Sequence, residues 1–246
     1  FDVDGQPTAV SVISPGRYLV QSREPAELQI VPDGTIIPLA PESREDTGHA
    51  VFHSNSGIGI ACASCHGEGG DDAHVWTFDG LGARRTPSLR GTLDGTAPYH
   101  WNGEMSDISM LADQVLSGRM NGPSLADDQK GALQSWLFAL PPPASPAVLD
   151  PEGAARGEQL FNGAAGCIGC HVGPRLTSSA TVDVGTGGKF QVPSLVGVSA
   201  RAPFLHDGCA TTLADRFGPC GGAGHGDTSM LSDADKSSLV AYLWTL

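Results

Sequence analysis

The sequence predicts a mainly α fold: two tandem helical domains with long loops, plus a short β extension at the N-terminus. Three observations predict it. The second half of the chain repeats the first at an offset of 105 or 106 residues over most of its motifs. Each copy ends in a segment with helical periodicity, and only the first 45 residues, outside the repeat, carry strand-like runs. Internal repetition at this length means two copies of one domain.

In chain order, residues 1–45 hold Arg17-Tyr-Leu-Val-Gln21 and Glu27-Leu-Gln-Ile-Val31, with turn residues at Pro32-Asp33-Gly34. They read as short strands, either a hairpin on the first domain or the end of a larger β domain. Residues 46–140 are the first domain. Its Gly48-His-Ala-Val-Phe52 recurs as Gly157-Glu-Gln-Leu-Phe161, and Thr86-Pro-Ser-Leu89 recurs as Val192-Pro-Ser-Leu195. Ala97-Pro-Tyr99 with Asn102-Gly103 recurs as Ala202-Pro-Phe204 with Asp207-Gly208, and Leu125–Leu140 recurs as Leu231–Leu246. In that last segment Leu133, Trp136, Leu137 and Leu140 keep the spacing of one buried helix face. Sixteen such residues would run ~24 Å, with Asp127-Asp128 and Asp233/Asp235 in the first turns, where negative charge suits the helix dipole. Residues 141–151 begin with three prolines and form the linker, and 152–246 are the second domain.

Composition narrows the function. Fourteen basic against 27 acidic residues give a net charge of −13, which argues against nucleic acid or an anionic membrane as partner and fits a partner with a basic docking face. With 33 glycines and 18 prolines, long ordered loops are expected. No apolar run is long enough to span a bilayer. The chain starts Phe1-Asp2-Val3 without Met or a leader, which reads as a processed chain or a fragment.

The chemistry sits in Cys62-Ala-Ser-Cys65-His66 and Cys167-Ile-Gly-Cys170-His171. Both are C-x-x-C-H, the signature of covalent c-type haem. Two thiols one turn apart reach the two vinyl groups of one haem, and the next His sits beneath the iron. Zinc would want the cysteine pairs to converge on one metal. Two covalently attached haem c groups are therefore expected, in cytochrome c-like domains outside the cytoplasm, periplasmic or extracellular. In such an oxidising compartment the remaining pair, Cys209 and Cys220, is expected to form a disulfide.

These motifs, together with Pro87-Ser-Leu, Pro193-Ser-Leu and Ala202-Pro-Phe-Leu-His-Asp-Gly208, resemble the bacterial di-haem cytochrome c peroxidase and MauG superfamily over residues 45–246. The N-terminal strands and Gln21-Ser-Arg-Glu-Pro25 resemble the tail of a β-propeller fused ahead of such modules, which makes the chain a module of a larger assembly. The resemblance implies peroxide reduction, with electrons entering at the second haem and the O–O bond broken at the first. Trp101-Asn-Gly103 matches a loop whose Trp lies between the haems, and His206 matches a hydrogen-bonding residue near a haem edge. The sequence also departs from the family. Arg119 stands where a proton-transferring Glu is expected, and Glu104 lies elsewhere. Arg85 stands where the family has an Asn ligand to an interdomain calcium, which leaves calcium in doubt.

By analogy with single-domain cytochromes c, the sixth iron ligand comes from the loop before the last helix. Met120 and His225, again 105 apart, occupy that place. The expected ligand pairs are His66/Met120 and His171/His225, with His74 and Met230 as alternatives. Arg84, Arg85 and Arg90 cluster in a chain poor in positive charge and suit haem propionates as readily as open surface. Catalytic candidates are His74, Trp101, Glu104 and His206. Two strongly ligated irons and the missing Glu favour a di-haem electron carrier between redox partners; the alternative is a di-haem peroxidase or MauG-like oxidase in which a sixth ligand leaves the first haem.

Overall fold

The computed structural model describes residues 1–246. It overturns the mainly α expectation: 30% of residues are helical and 17% lie in strands, which form three antiparallel sheets. The first is a meander of β1 (Pro7–Ser14), β2 (Arg17–Ser22), β3 (Glu27–Val31) and β4 (Thr35–Pro38), paired in that order. Most of β1 and all of β4 are exposed, so these two strands lack the in-out alternation that marks a half-buried strand in sequence. The others are hairpins, β5 (Val75–Phe78) with β6 (Gly82–Arg85) and β7 (Thr181–Asp183) with β8 (Lys189–Gln191). Strands of three or four residues are too short to show a period.

Five helices frame the rest: α1 (Thr47–His53), α2 (Ile108–Leu111), α3 (Asp127–Ala139), α4 (Pro151–Asn162) and α5 (Asp233–Leu243). Helix α2 continues as a π-helical stretch, Ala112–Arg119, that delivers the chain at Met120. Asp46, Asp107, Asp150 and Ser232 cap α1, α2, α4 and α5, each accepting from the backbone N–H three residues on. Helix α3 is 13 residues long rather than sixteen. It stops at Leu140, which turns extended (ψ 120) ahead of Pro141, because a proline crowds a preceding helical residue. None of the helices is long and apolar enough to cross a membrane.

The helices pack in two pairs, α1 on α3 and α4 on α5. Leu133 and Leu137 are buried with Val51, Phe52, Tyr99, Met105 and Ile108; Leu239 is buried with Leu160, Phe161 and Ala165. The two recurring glycines explain the close crossings. A Cβ on Gly48 would lie 2.2 Å from the Ala132 carbonyl oxygen, and one on Gly157 would lie 2.0 Å from that of Ser238. Gly157→Ala is therefore expected to destabilise the fold by about 1–3 kcal/mol and lower the unfolding midpoint by roughly 5 °C. Gly131→Ala, on α3 with open space around its Cβ, should be stabilising by up to about 1 kcal/mol. Thermal melts of the two variants side by side check this.

The halves meet through reciprocal bonds. The Arg85 N–H donates to the His206 carbonyl and the Gln191 N–H to the Trp101 carbonyl, each at 2.7 Å. Each half also has one isolated bridge in the loop after its Ala-Pro-aromatic motif, Tyr99 with Met105 and Phe204 with Ala210. The end of each hairpin is thus stitched to the other half's loop, by backbone pairs that keep the spacing of the sequence repeat.

Candidate functional site

Each C-x-x-C-H motif folds as one tight turn. The His66 N–H donates to the Cys62 carbonyl at 3.0 Å and the His171 N–H to the Cys167 carbonyl at 2.9 Å. A third residue of the turn, Cys65 or Cys170, donates to the same carbonyl. All four thiols are free, and burial pushes the Cys62, Cys65 and Cys167 thiols up. The remaining cysteines, Cys209 and Cys220, are joined with Cα atoms 5.7 Å apart.

The imidazoles are oriented alike. His66 Nδ1 donates to the Gly70 carbonyl at 3.4 Å, and His171 Nδ1 donates to the Leu176 carbonyl at 3.0 Å. A carbonyl can only accept, so Nε2 of each ring keeps a lone pair, the arrangement typical of a metal-ligating histidine. Burial, the leading cause, lowers the pKa of both and favours the neutral ring. Free paired thiols and a neutral, backbone-anchored imidazole in each turn fit covalent haem.

The second half places His225 opposite His171, with ring centroids 6.3 Å apart and planes inclined by 37°. His225 Nδ1 donates to the Gly221 carbonyl at 3.2 Å, which again frees Nε2. Burial first, then the charges of Arg216 and His171, push the His225 pKa down to about 4. The spacing is close to two metal–imidazole bonds of about 2 Å each plus the two ring radii. Met230 is 90% exposed and turned to solvent. Met120 is half-buried at the end of the π-helical stretch and lies outside the apolar cluster of its half. Its neighbour Asn121 comes against Gly57, in the loop that leads into Cys62.

His74 is exposed and sits edge-on to Trp76 at 4.4 Å. Glu104 makes a cluster with His100 and Arg119: its Oε1 accepts from His100 Nδ1 at 2.9 Å and Arg119 Nη2 at 3.5 Å. Its Oε2 is buried without a partner. Burial opposes ionisation of this carboxyl, but the hydrogen bond from His100, with the His100 and Arg119 charges, outweighs it and holds the pKa below the usual glutamate value. The structure therefore brings Glu104 to the Arg119 position, where the sequence placed no acid.

The seam holds Trp101, His206 and the arginines. Trp101 Nε1 donates to the Arg85 carbonyl at 2.7 Å, and its ring meets His206 edge-on at 6.4 Å. His206 stacks on Phe190 at 3.8 Å, and the Arg84 guanidinium covers the Phe190 ring. Arg85 is bound by Asp71 at 2.8 Å, with the Thr86 and Ala202 carbonyls accepting as well; its Nε alone is unpartnered. Arg90 reaches the Pro141 carbonyl at 3.2 Å. Arg201 was not singled out by the sequence. Its Nη1 donates to the Ser194 carbonyl, while Nε and Nη2 are buried without partners. Burial, with the Arg85 charge, lowers it to about 10. The signal was its departure from the repeat, since the first half has Thr96 at the same place.

Comparison with known proteins finds relatives in sequence and in fold. The methylamine utilization protein MauG of Methylorubrum extorquens is 26% identical, over 88% of this chain and 81% of its own. Hydrazine synthase of Kuenenia stuttgartiensis superposes with a TM-score of 0.67 at 20% identity, over 98% of this chain and all of that one. The chain resembles the di-haem cytochrome c peroxidase and MauG superfamily. A MauG-like protein associated with microbial copper homeostasis superposes on this chain with a TM-score of 0.62, at 20% identity over 85% of the chain and 91% of its own. The di-haem peroxidase BthA of Burkholderia thailandensis gives 0.52 at 17% identity, over 99% and 95% of the two chains. No protein-family model matches.

Proposed function

We propose that this protein is a di-haem peroxidase of the bacterial periplasm or another compartment outside the cytoplasm, reducing hydrogen peroxide with electrons from a protein donor that has a basic docking face. The relatives favour this over the plain electron carrier that the ligand set alone suggested. The observation that carries it is an asymmetry between the halves. Glu104 and Cys209 are equivalent under the 105-residue offset. The first half has an ionised carboxylate there with one oxygen free, and the second half has a disulfide. Residues 46–140 would be the reactive domain and 152–246 the electron-entry domain, joined by 141–151, with residues 1–45 as a blade-like attachment to a larger assembly.

In this reading Cys62, Cys65 and His66 hold one haem and Cys167, Cys170, His171 and His225 the other. Arg201 and the free Nε of Arg85 are the cations suited to propionate oxygens. Bound haem supplies a redox-active iron at which the peroxide O–O bond breaks. The protein supplies the protons. Glu104 takes a proton from one peroxide oxygen and returns it to the departing one, while His100 and Arg119 hold the carboxylate in place. Peroxide, two electrons and two protons give two waters. Trp101 lies at the seam between the halves and would be the side chain suited to carry electrons across it. Met120, partly buried at the end of the π-helical stretch, would be the side chain suited to serve as a displaceable ligand in the first half.

EPR and visible spectra of the oxidised and half-reduced protein, before and after peroxide, test the reading. Half-reduction is expected to produce a high-spin signal that one equivalent of peroxide consumes. Low-spin signals in both states and no reaction with peroxide would leave an electron carrier instead.

A further inference from the structure

A second group of ligating side chains lies outside the haem turns and plays no part in the proposed reaction. His49 and His53 stand four residues apart on α1, on one face of the helix. Glu68 comes from the 3-10 turn just after His66, in a left-handed conformation with φ 48. The nearest ligand atoms of the three side chains all lie within 4.8 Å of one another. His53 Nε2 is 3.0 Å from Glu68 Oε1, and His49 Nε2 is 3.9 Å from Glu68 Oε2. Tetrahedral bonds of 2.0–2.1 Å put donor atoms about 3.3 Å apart, a spacing these two distances bracket.

We infer that His49, His53 and Glu68 form a binding site for one divalent first-row transition ion, with zinc(II) as its probe.

Two further observations support the site. His49 is buried, 3% exposed, and both its ring nitrogens lack a hydrogen-bond partner. A buried imidazole in that state is costly unless something satisfies it, and an ion at Nε2 satisfies one of its two nitrogens. His53 Nδ1 donates to the His49 carbonyl at 2.8 Å. That bond fixes the ring and turns Nε2 toward the carboxylate, as the outer partner of a metal-ligating histidine does. Two imidazoles and a carboxylate suit ions of the zinc and copper class.

The trio is confined to one half. Where His49 and His53 stand on α1, α4 has Glu158 and Asn162, and 105 residues beyond Glu68 stands Gly173. The site is therefore an addition to the repeated fold. Its effect is mechanical: the ion ties α1 to the loop that carries His66.

The test uses the haem-loaded protein, whose C-x-x-C-H thiols are occupied, stripped of loose metal with a chelator and titrated with zinc(II) by calorimetry. One ion per chain is expected, with a dissociation constant of about 1 μM or tighter, and with the unfolding midpoint raised by roughly 5 °C at hundredfold excess. Glu68→Gln should weaken binding about tenfold or more and His53→Ala about hundredfold. Glu68 is half exposed and His53 partly exposed, so both variants keep the fold. If His53→Ala unfolds, Glu68→Gln alone decides. Absence of stoichiometric binding, which would leave His53 and Glu68 a plain ion pair, overturns the inference. So does binding that both substitutions leave unchanged.

Discussion

Glu104→Gln is expected to slow peroxide reduction by about 10²- to 10⁴-fold while leaving the haem spectra of the resting protein unchanged. The amide keeps the shape of the side chain, and its oxygen still accepts from His100 Nδ1, which Glu104 holds at 2.9 Å. What it loses is the charge and the free oxygen, Oε2, which is buried without a partner. A general base must accept the proton at a stated atom, and Oε2 is the one oxygen of this cluster not already engaged. Mixing the half-reduced variant with peroxide in a stopped-flow instrument reads the rate directly. His74→Ala serves as the comparison. His74 is exposed and lies against Trp76, and its loss should change the rate by no more than a few-fold. A slow His74 variant beside a normal Glu104 variant would move the proton relay to the loop after the first haem turn.

The parts of the site legible in the sequence are those set by local physics. The C-x-x-C-H turns were plain because their chemistry depends on a spacing of one turn, which sequence displays. The buried face of α3 was plain for the same reason, and its last residue, Leu140, turns extended under the backbone crowding imposed by Pro141. Glu104 is among the candidates in the sequence although its position does not match the expected acid. Only the return of the π-helical stretch brings Arg119 beside it, and such a return is a long-range property. The hairpins failed on length: three- and four-residue strands carry no period, and β5–β6 exposes Trp76 and Phe78 rather than burying them. His49 and His53 had a helical spacing in view, yet the group becomes legible only when Glu68 adopts a left-handed turn. Arg201 was visible as an exception to the repeat, and exceptions to a repeat deserve the same scrutiny as its conserved spacing.

His225→Ala should convert one of the two haem signals from low-spin to high-spin, with the other unchanged, whereas Met230→Ala should alter neither. His171 and His225 face one another at 6.3 Å, and each ring is anchored through Nδ1 to a carbonyl of its own loop. Two anchored imidazoles leave both Nε2 lone pairs free, and the low pKa of His225, about 4, keeps its ring neutral at pH 7. Met230 is turned to solvent and cannot replace the lost ring without moving its loop. Removing His225 opens that iron, so added imidazole or cyanide should restore the low-spin spectrum in the variant. If the variant stays low-spin unaided, another side chain holds that iron. The entry domain would then owe its stability to a ligand the fold has not placed opposite His171, and the division of labour drawn from Glu104 and Cys209 would lose its electron-transfer half.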